Sequence, residues 1–342
     1  MQVMKKIKIF LVGMLLVAPA IAHHSDAGLD MENSEILEGT VTGYFWRNPH
    51  VYFTLEVIEE NGVAIEWELQ MGSTGTLGRR GWTRESLIEG DLVTVTAHSA
   101  LNGEPYGIAE LVERSGKLVA TLEQYQPEVT ASTTTLEGSW MANAAELVSY
   151  PGGFDGFFLA NLVLTEEGER AQAVYDPLSL ENPESTCVGR PTPGMLVSSN
   201  LYPIEIIFND DETITIRTDY YDETRIVYMD GREHPNSNER FQTGYSIGFW
   251  NGDTLVVDTR NFTDHRSPYQ VGVPSGGQKH VVERYQLIEN GTRIAVDFML
   301  EDPQYIAEPL VHSRELIYSP QLGSNLFDCD PEAASRFVPQ DD

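Results

Sequence analysis

The chain has 342 residues, and its 52 Asp and Glu outnumber 22 Lys and Arg to give a formal net charge of −30. A surface of that sign cannot neutralise phosphates, which excludes nucleic acid and anionic lipid as partners. The first 22 residues stand apart: Lys5, Lys6 and Lys8, then the apolar run "IFLVGMLLVAPA", then "AIA". This order of basic, apolar and small residues predicts a secretory signal peptide cut after Ala22, although a retained membrane anchor has the same outline. The apolar run is short for a bilayer span, so no membrane insertion is expected after cleavage. Since the leader holds three Lys and no acid, the remaining chain stands at about −33. The expected location is periplasmic or secreted.

Residues 23–123 read as short strands with period-two patterning: "ILEGTVTGYFW", "HVYFTLEVI", "AIEWELQM", "LVTVTAHS" and "GIAELVE". Turn signals separate them, and "GSTGTLGRRGWTRESL" breaks the alternation with a short helix or an extended loop. Five strands in about 100 residues predict a small OB-like barrel. Residues 124–138, "QYQPEVTASTTTLEG", have the composition of a linker. Residues 139–342 form a second domain. Thr165 and the acids after it predict a helix over 166–175, followed by a Pro-rich passage. Eight to ten antiparallel strands then predict a closed, lipocalin-like β-barrel, because an open sheet of that size is uncommon. Cys187 and Cys329 are the two cysteines, and in an oxidising compartment they can pair; two free buried thiols are the alternative.

In the first domain "AHHS", "GTVTGYFWRNPHVYF", "RRGWTRESLIEGDLVTV" and "LNGE" resemble DUF6152, a family of small exported bacterial proteins of unknown function. In the second, "VYMDGREHP", "GYSIGFWNGDTLVVDTRNF", "HVVERYQL" and "LEDPQYIAEP" resemble a group of uncharacterised secreted proteobacterial β-proteins. Asn251 stands where that group usually has an acid, and Tyr245 where it often has His. Neither resemblance implies a substrate.

Four constellations can carry chemistry. Cleavage would leave His23-His24 at the N-terminus, where an amine and an imidazole chelate copper, with His50 of "WRNPH" as a third ligand; His50 can equally cap a strand. Arg79, Arg80 and Arg84 surround Trp82, either as an anion site or as partners of the protein's own acids that cover the indole. In "MDGREHP" His234 suits a general base, with Asp230 orienting it and Arg232 holding an anionic group; a plain hairpin turn with an ion pair is the other reading. On "HVVERY" Val281, Glu283 and Tyr285 share one strand face. If that face points inward, Glu283 and Tyr285 line a pocket that Tyr245, Trp250, Asp302 and Tyr305 can join.

No G-x-S-x-G, C-x-x-C, H-E-x-x-H or phosphate-binding glycine loop occurs, which counts against the familiar hydrolases, zinc proteases and nucleotide enzymes. The leading expectation is binding of a small apolar or aromatic molecule in the larger barrel. An enzyme using Asp230, Arg232 and His234 is the alternative, and copper binding by the small domain is a third.

Overall fold

The computed structural model describes residues 28–150, 153–269, 271–323, 327–336 and 338. The first sheet comprises β1 (Glu35–Phe45), β2 (Tyr52–Ile58), β3 (Ala64–Gln70), β4 (Leu92–Ser99), β5 (Tyr106–Arg114) and the two-residue β6 (Lys117–Leu118). Its strands run in the order β3-β2-β1-β4-β5-β6, and a parallel pairing of β3 with β5 closes the first five into a barrel. The OB-like expectation holds. Alternate residues such as Val41, Phe53, Leu55, Leu69, Val93, Val95 and Val112 fill the centre, as a period-two strand with one wet face requires. The segment that broke the alternation holds α1 (Thr74–Gly78), capped by the Ser73 hydroxyl, and seats Leu77 and Trp82 in that core.

The second sheet comprises β7 (Gly138–Met141), β8 (Ile204–Phe208), β9 (Thr213–Thr218), β10 (Thr224–Tyr228), β11 (Tyr245–Asn251), β12 (Thr254–Arg260), β13 (His280–Ile288), β14 (Arg293–Glu301) and β15 (Leu310–Tyr318). These nine strands form a closed barrel in the order β10-β11-β12-β13-β14-β15-β7-β8-β9. Eight junctions are antiparallel. The ninth, β10 with β11, is parallel. Two parallel neighbours cannot be joined by a hairpin, so residues 229–244 must cross from one end of the barrel to the other outside it.

Inward positions alternate along each strand. β14 contributes Ile294, Val296, Phe298 and Leu300, and β13 contributes Val281, Glu283 and Tyr285. One end of this barrel carries the long connections. Residues 142–150 and 153–203 form a cap that includes α2 (Gly153–Asn161), α3 (Glu166–Ala173) and α4 (Gly194–Val197). From it Phe157, Phe158, Met195, Leu196 and Val197 pack into the same core as the barrel's inward aliphatic chains. The predicted helix at 166–175 is therefore present as α3, with the Thr165 hydroxyl accepting from the Gly168 N–H.

Cys187, at the edge of the cap, is disulfide-bonded to Cys329, with Cα atoms 5.9 Å apart. Residues after β15 lead through Cys329 into α5 (Pro331–Ala334) and reach the small barrel. Asn48 hydrogen-bonds the Phe327 carbonyl, Arg47 Nη1 lies 2.6 Å from Asp330 Oδ2, and Arg336 pairs with Glu68. The stretch with linker composition, 124–138, is also docked: the Thr133 N–H donates to the Gly291 carbonyl at 2.9 Å, and Leu136 joins the larger core.

Candidate functional site

Glu283 and Tyr285 lie inside the larger barrel, fully buried. An interior carboxylate must be paired or neutral, and Glu283 is paired. Its Oε1 accepts from Arg225 Nη2 at 2.8 Å, Thr192 Oγ1 at 2.6 Å and Tyr285 Oη at 3.1 Å, while Arg225 Nη1 stands 2.6 Å from Oε2. Arg225 also reaches Thr259 Oγ1 at 3.2 Å. Thr192 comes from the cap, so this network ties the cap to the barrel wall.

Beside it, at the capped end, lies a second set of buried polar groups with a different character. Lys279 Nζ is buried with no hydrogen-bond partner among the described residues, 4.3 Å from the centre of the Phe262 ring and 5.0 Å from that of Tyr269. Glu223 Oε1, Asp302 Oδ1, Ser275 Oγ and Tyr269 Oη are likewise buried and unpartnered there. Asp302 is fixed by its other oxygen, which accepts from the Gly276 N–H at 2.6 Å. Burial pushes Lys279 down to about 7, with Asp302, Glu223 and Glu283 acting in the opposite sense. Burial pushes Glu223 up to about 7, against the charges of Lys279 and Arg225. Burial, and then the Lys279 charge, bring nearby His265 down to about 4. Perturbed groups of opposite type that act on one another's ionisation make this cluster a candidate functional site.

The other predicted ligand residues are only partly gathered here. Asp302 belongs to the cluster, and Tyr305 is half-buried nearby on the β14–β15 connection, with its hydroxyl accepting from Gln304. Tyr245 and Trp250 sit elsewhere: Tyr245 stacks on Tyr228 outside the barrel, and Trp250 is 47 % exposed against Phe208. The six do not line one pocket: parity turns Tyr245 outward, since it lies next to the inward-facing Ser246, and Trp250, although on the inward parity, is exposed near the end of β11.

Asp230, Arg232 and His234 are on the outer crossover between β10 and β11. Asp230 does not orient His234. Both its oxygens are taken by Arg232, at 2.8 Å and 2.5 Å, and Arg232 lies over the Tyr228 ring. The carboxylate against His234 belongs to Asp258: Nε2 to Oδ1 is 2.7 Å. Asp258 Oδ2 also meets His280 Nε2 at 3.0 Å, and His280 Nδ1 lies 3.3 Å from Glu301 Oε2. Burial works against the Asp258 charge, but hydrogen bonds from His234, His280 and Arg260 hold its carboxyl well below the usual range. Asp258, His280 and Glu301 face outward from three neighbouring strands, and no local signal in the sequence marks them as a group.

His23 and His24 lie outside the described residues, and the copper reading rests on them. His50 is half-buried, with Nδ1 3.2 Å from the Met71 carbonyl oxygen. Among the described residues, no group of three or more His, Cys, Asp or Glu side chains is arranged so that it could hold a metal ion.

Residues 13–109 match the model of DUF6152, described as a family of unknown function, and this supports the resemblance drawn for the N-terminal part of the chain. No curated protein matches. Among solved structures, the chain is similar to the fluorescent protein UnaG, in its wild-type form and in a point-mutant form. Each is 11 % identical with a TM-score of 0.24; 54 % of this chain is covered, with 97 % and 96 % of the respective UnaG chains. The barrel assignment itself rests on the chain's own strand pairing.

Proposed function

We propose that this protein binds a small molecule at the capped end of its larger barrel. The observation that carries this reading is the cluster of buried, unpartnered polar atoms on Lys279, Glu223, Asp302, Ser275 and Tyr269. Leaving one such atom unpaired costs about 1–3 kcal/mol, so this many together call for a partner. The set mixes donors and acceptors, which suits a head group with hydroxyl or amide character. The Phe262 and Tyr269 rings beside Lys279 suit an aromatic or apolar body. This adds a polar head group to the apolar or aromatic molecule expected from composition. The cap would have to shift for entry, and its attachment through Thr192 and the disulfide sets how far it can.

The test is native mass spectrometry of the full chain from its native host, with extraction of what stays bound. A small molecule retained by the wild type and lost from a folded Lys279→Met variant supports binding here. A high-resolution structure in which ordered water alone satisfies every one of these atoms, with nothing extracted, ends the proposal.

A second reading, acid–base chemistry at His234, is favoured by the 2.7 Å contact with Asp258. It predicts turnover of a substrate that reaches the outer face of the barrel, which His234→Ala abolishes while the retained molecule stays bound; unchanged turnover rules it out. We propose, too, that the chain is exported. The disulfide supports this, since such bonds persist in oxidising compartments. Cell fractionation with N-terminal sequencing checks it, and a full-length chain in the cytosol contradicts it.

A further inference from the structure

The seam between the two barrels holds a site of different chemistry. Arg79 and Arg80 follow α1 of the small barrel and line a small open cleft together with Thr76, Gln124, Tyr125 and Asn200. Among the described residues no carboxylate lines it. Arg79 hydrogen-bonds the Leu201 carbonyl, and its Nη1 lies 3.7 Å from Asp219 Oδ2, beyond hydrogen-bond distance. The Nε atoms of both arginines are buried without a hydrogen-bond partner among the described residues. Burial, and then the adjacent Arg79 charge, hold the Arg80 guanidinium below its ordinary range. Arg80 is a half-buried cation next in the chain to another cation that lines the same cleft. In a chain with 52 acids to 22 bases, that is an unusual place for two cations to meet.

We infer that this cleft binds a small oxyanion of the phosphate or sulfate class, held by Arg79 and Arg80. Guanidinium forks match such an anion with paired, charge-assisted hydrogen bonds. Neutral donors lie beside them. Gln124 spends one amide hydrogen on the Asn200 carbonyl, which leaves the other, and Tyr125 also lines the cleft. The arginines belong to the small barrel, Asn200 to the cap of the larger one, and Gln124 and Tyr125 to the strap between them. A bound anion would thus join three parts of the chain and relieve the repulsion between the two cations. The site is separate from the barrel interior and does not depend on the function proposed for it.

The experiment uses the full chain, with titration calorimetry and thermal unfolding at fixed ionic strength set by sodium chloride. Inorganic phosphate, sulfate and glycerol 2-phosphate are the probes. Phosphate or sulfate is expected to bind and to raise the melting temperature over the chloride control. Arg80→Gln should weaken binding by about tenfold or more. Without anion, Arg80→Gln should melt no lower than the wild type, because it removes a charge repelled by its neighbour; a purely structural arginine would give the opposite. Should Arg80→Gln not fold, Arg80→Lys serves, with binding weakened because the fork is lost. Glycerol 2-phosphate binding as well as the free ion extends the site to organic phosphates, and binding of the free ion alone confines it to inorganic ones; either supports the inference. No heat and no shift with any probe, or equal binding by the Arg80 variants, overturns it.

Discussion

Three hydrogen bonds converge on one oxygen of Glu283, from Thr192, Arg225 and Tyr285, in a place without solvent. Removing one partner of a buried pair strands the other charge, at a cost of about 3–5 kcal/mol. Glu283→Gln should therefore lower unfolding stability by that order in urea denaturation, with Arg225 left uncompensated; a loss under about 1 kcal/mol would mean the pair is not buried in solution. Lys279 predicts a pH effect. Its folded pKa is lowered from 10.5 to about 7, so from about pH 7 upward the unfolded chain binds a proton that the folded one has released. Stability contributed by this group rises with pH across that window and is lowest below it. Between about pH 7 and pH 10 the wild type should gain stability relative to Lys279→Met, and at about pH 7 the variant should be the more stable of the two. A wild-type-minus-variant difference that stays flat with pH refutes this. Glu283 and Tyr285 were legible in the sequence, because period two placed them with Val281 on one strand face. Lys279 was not legible: it stands one residue before β13, and nothing local tells a buried Lys from an exposed one there. His234 was found, but its partner Asp258 is 24 residues away on another element, a distance pattern reading cannot bridge.

Alternation marked the strands and Thr165 marked α3, because those signals are local. Composition picked out residues 124–138 as a connection but did not show that it is docked. Thr, Ser and Pro resemble a linker wherever they occur, yet here the Thr133 backbone pairs with Gly291 at the β13–β14 turn. Gly291 has φ of +83°, and a Cβ added to it would overlap the Thr133 carbonyl. Gly291→Ala should therefore cost more than the ordinary strain of a left-handed alanine and should also release the strap. A fall in melting temperature with new protease cleavage within 124–138 is expected, whereas unchanged cleavage would show that the strap is not held by this contact. The disulfide acts on the cap in a similar way. Cys187 and Cys329 are 142 residues apart in sequence, and their link restricts the unfolded chain. Replacing both with Ser should cost about 2–5 kcal/mol, read by thermal unfolding of oxidised wild type against the double variant. The spacing of two cysteines allowed this pairing but did not reveal that it would fasten the cap to the tail that reaches the small barrel.

At the scale of the whole molecule, two closed barrels were visible in outline and their junction was not. Strand count and alternation set the number of barrels, while the seam is made by single side chains, Arg47, Asn48, Arg79 and Arg336, reaching residues more than 100 positions away. The dominant long-range force on this assembly is its own charge. A formal −30 spread over a folded surface repels itself, and unfolding relieves that repulsion by separating the acids. Dissolved salt screens it, with a Debye length of about 10 Å at 0.1 M and about 3 Å at 1 M. Salt weakens the attractive ion pairs too, but those at the surface are worth about 0–1 kcal/mol each, and the buried Arg225–Glu283 and Arg190–Asp155 pairs are shielded from it. Repulsion is thus screened more than attraction. The melting temperature should rise as sodium chloride is raised from low ionic strength to about 1 M, similarly for potassium chloride. If it falls instead, ion pairs across the seam outweigh the net charge, and Arg47 and Arg336, which pair with Asp330 and Glu68, are then the first candidates to replace.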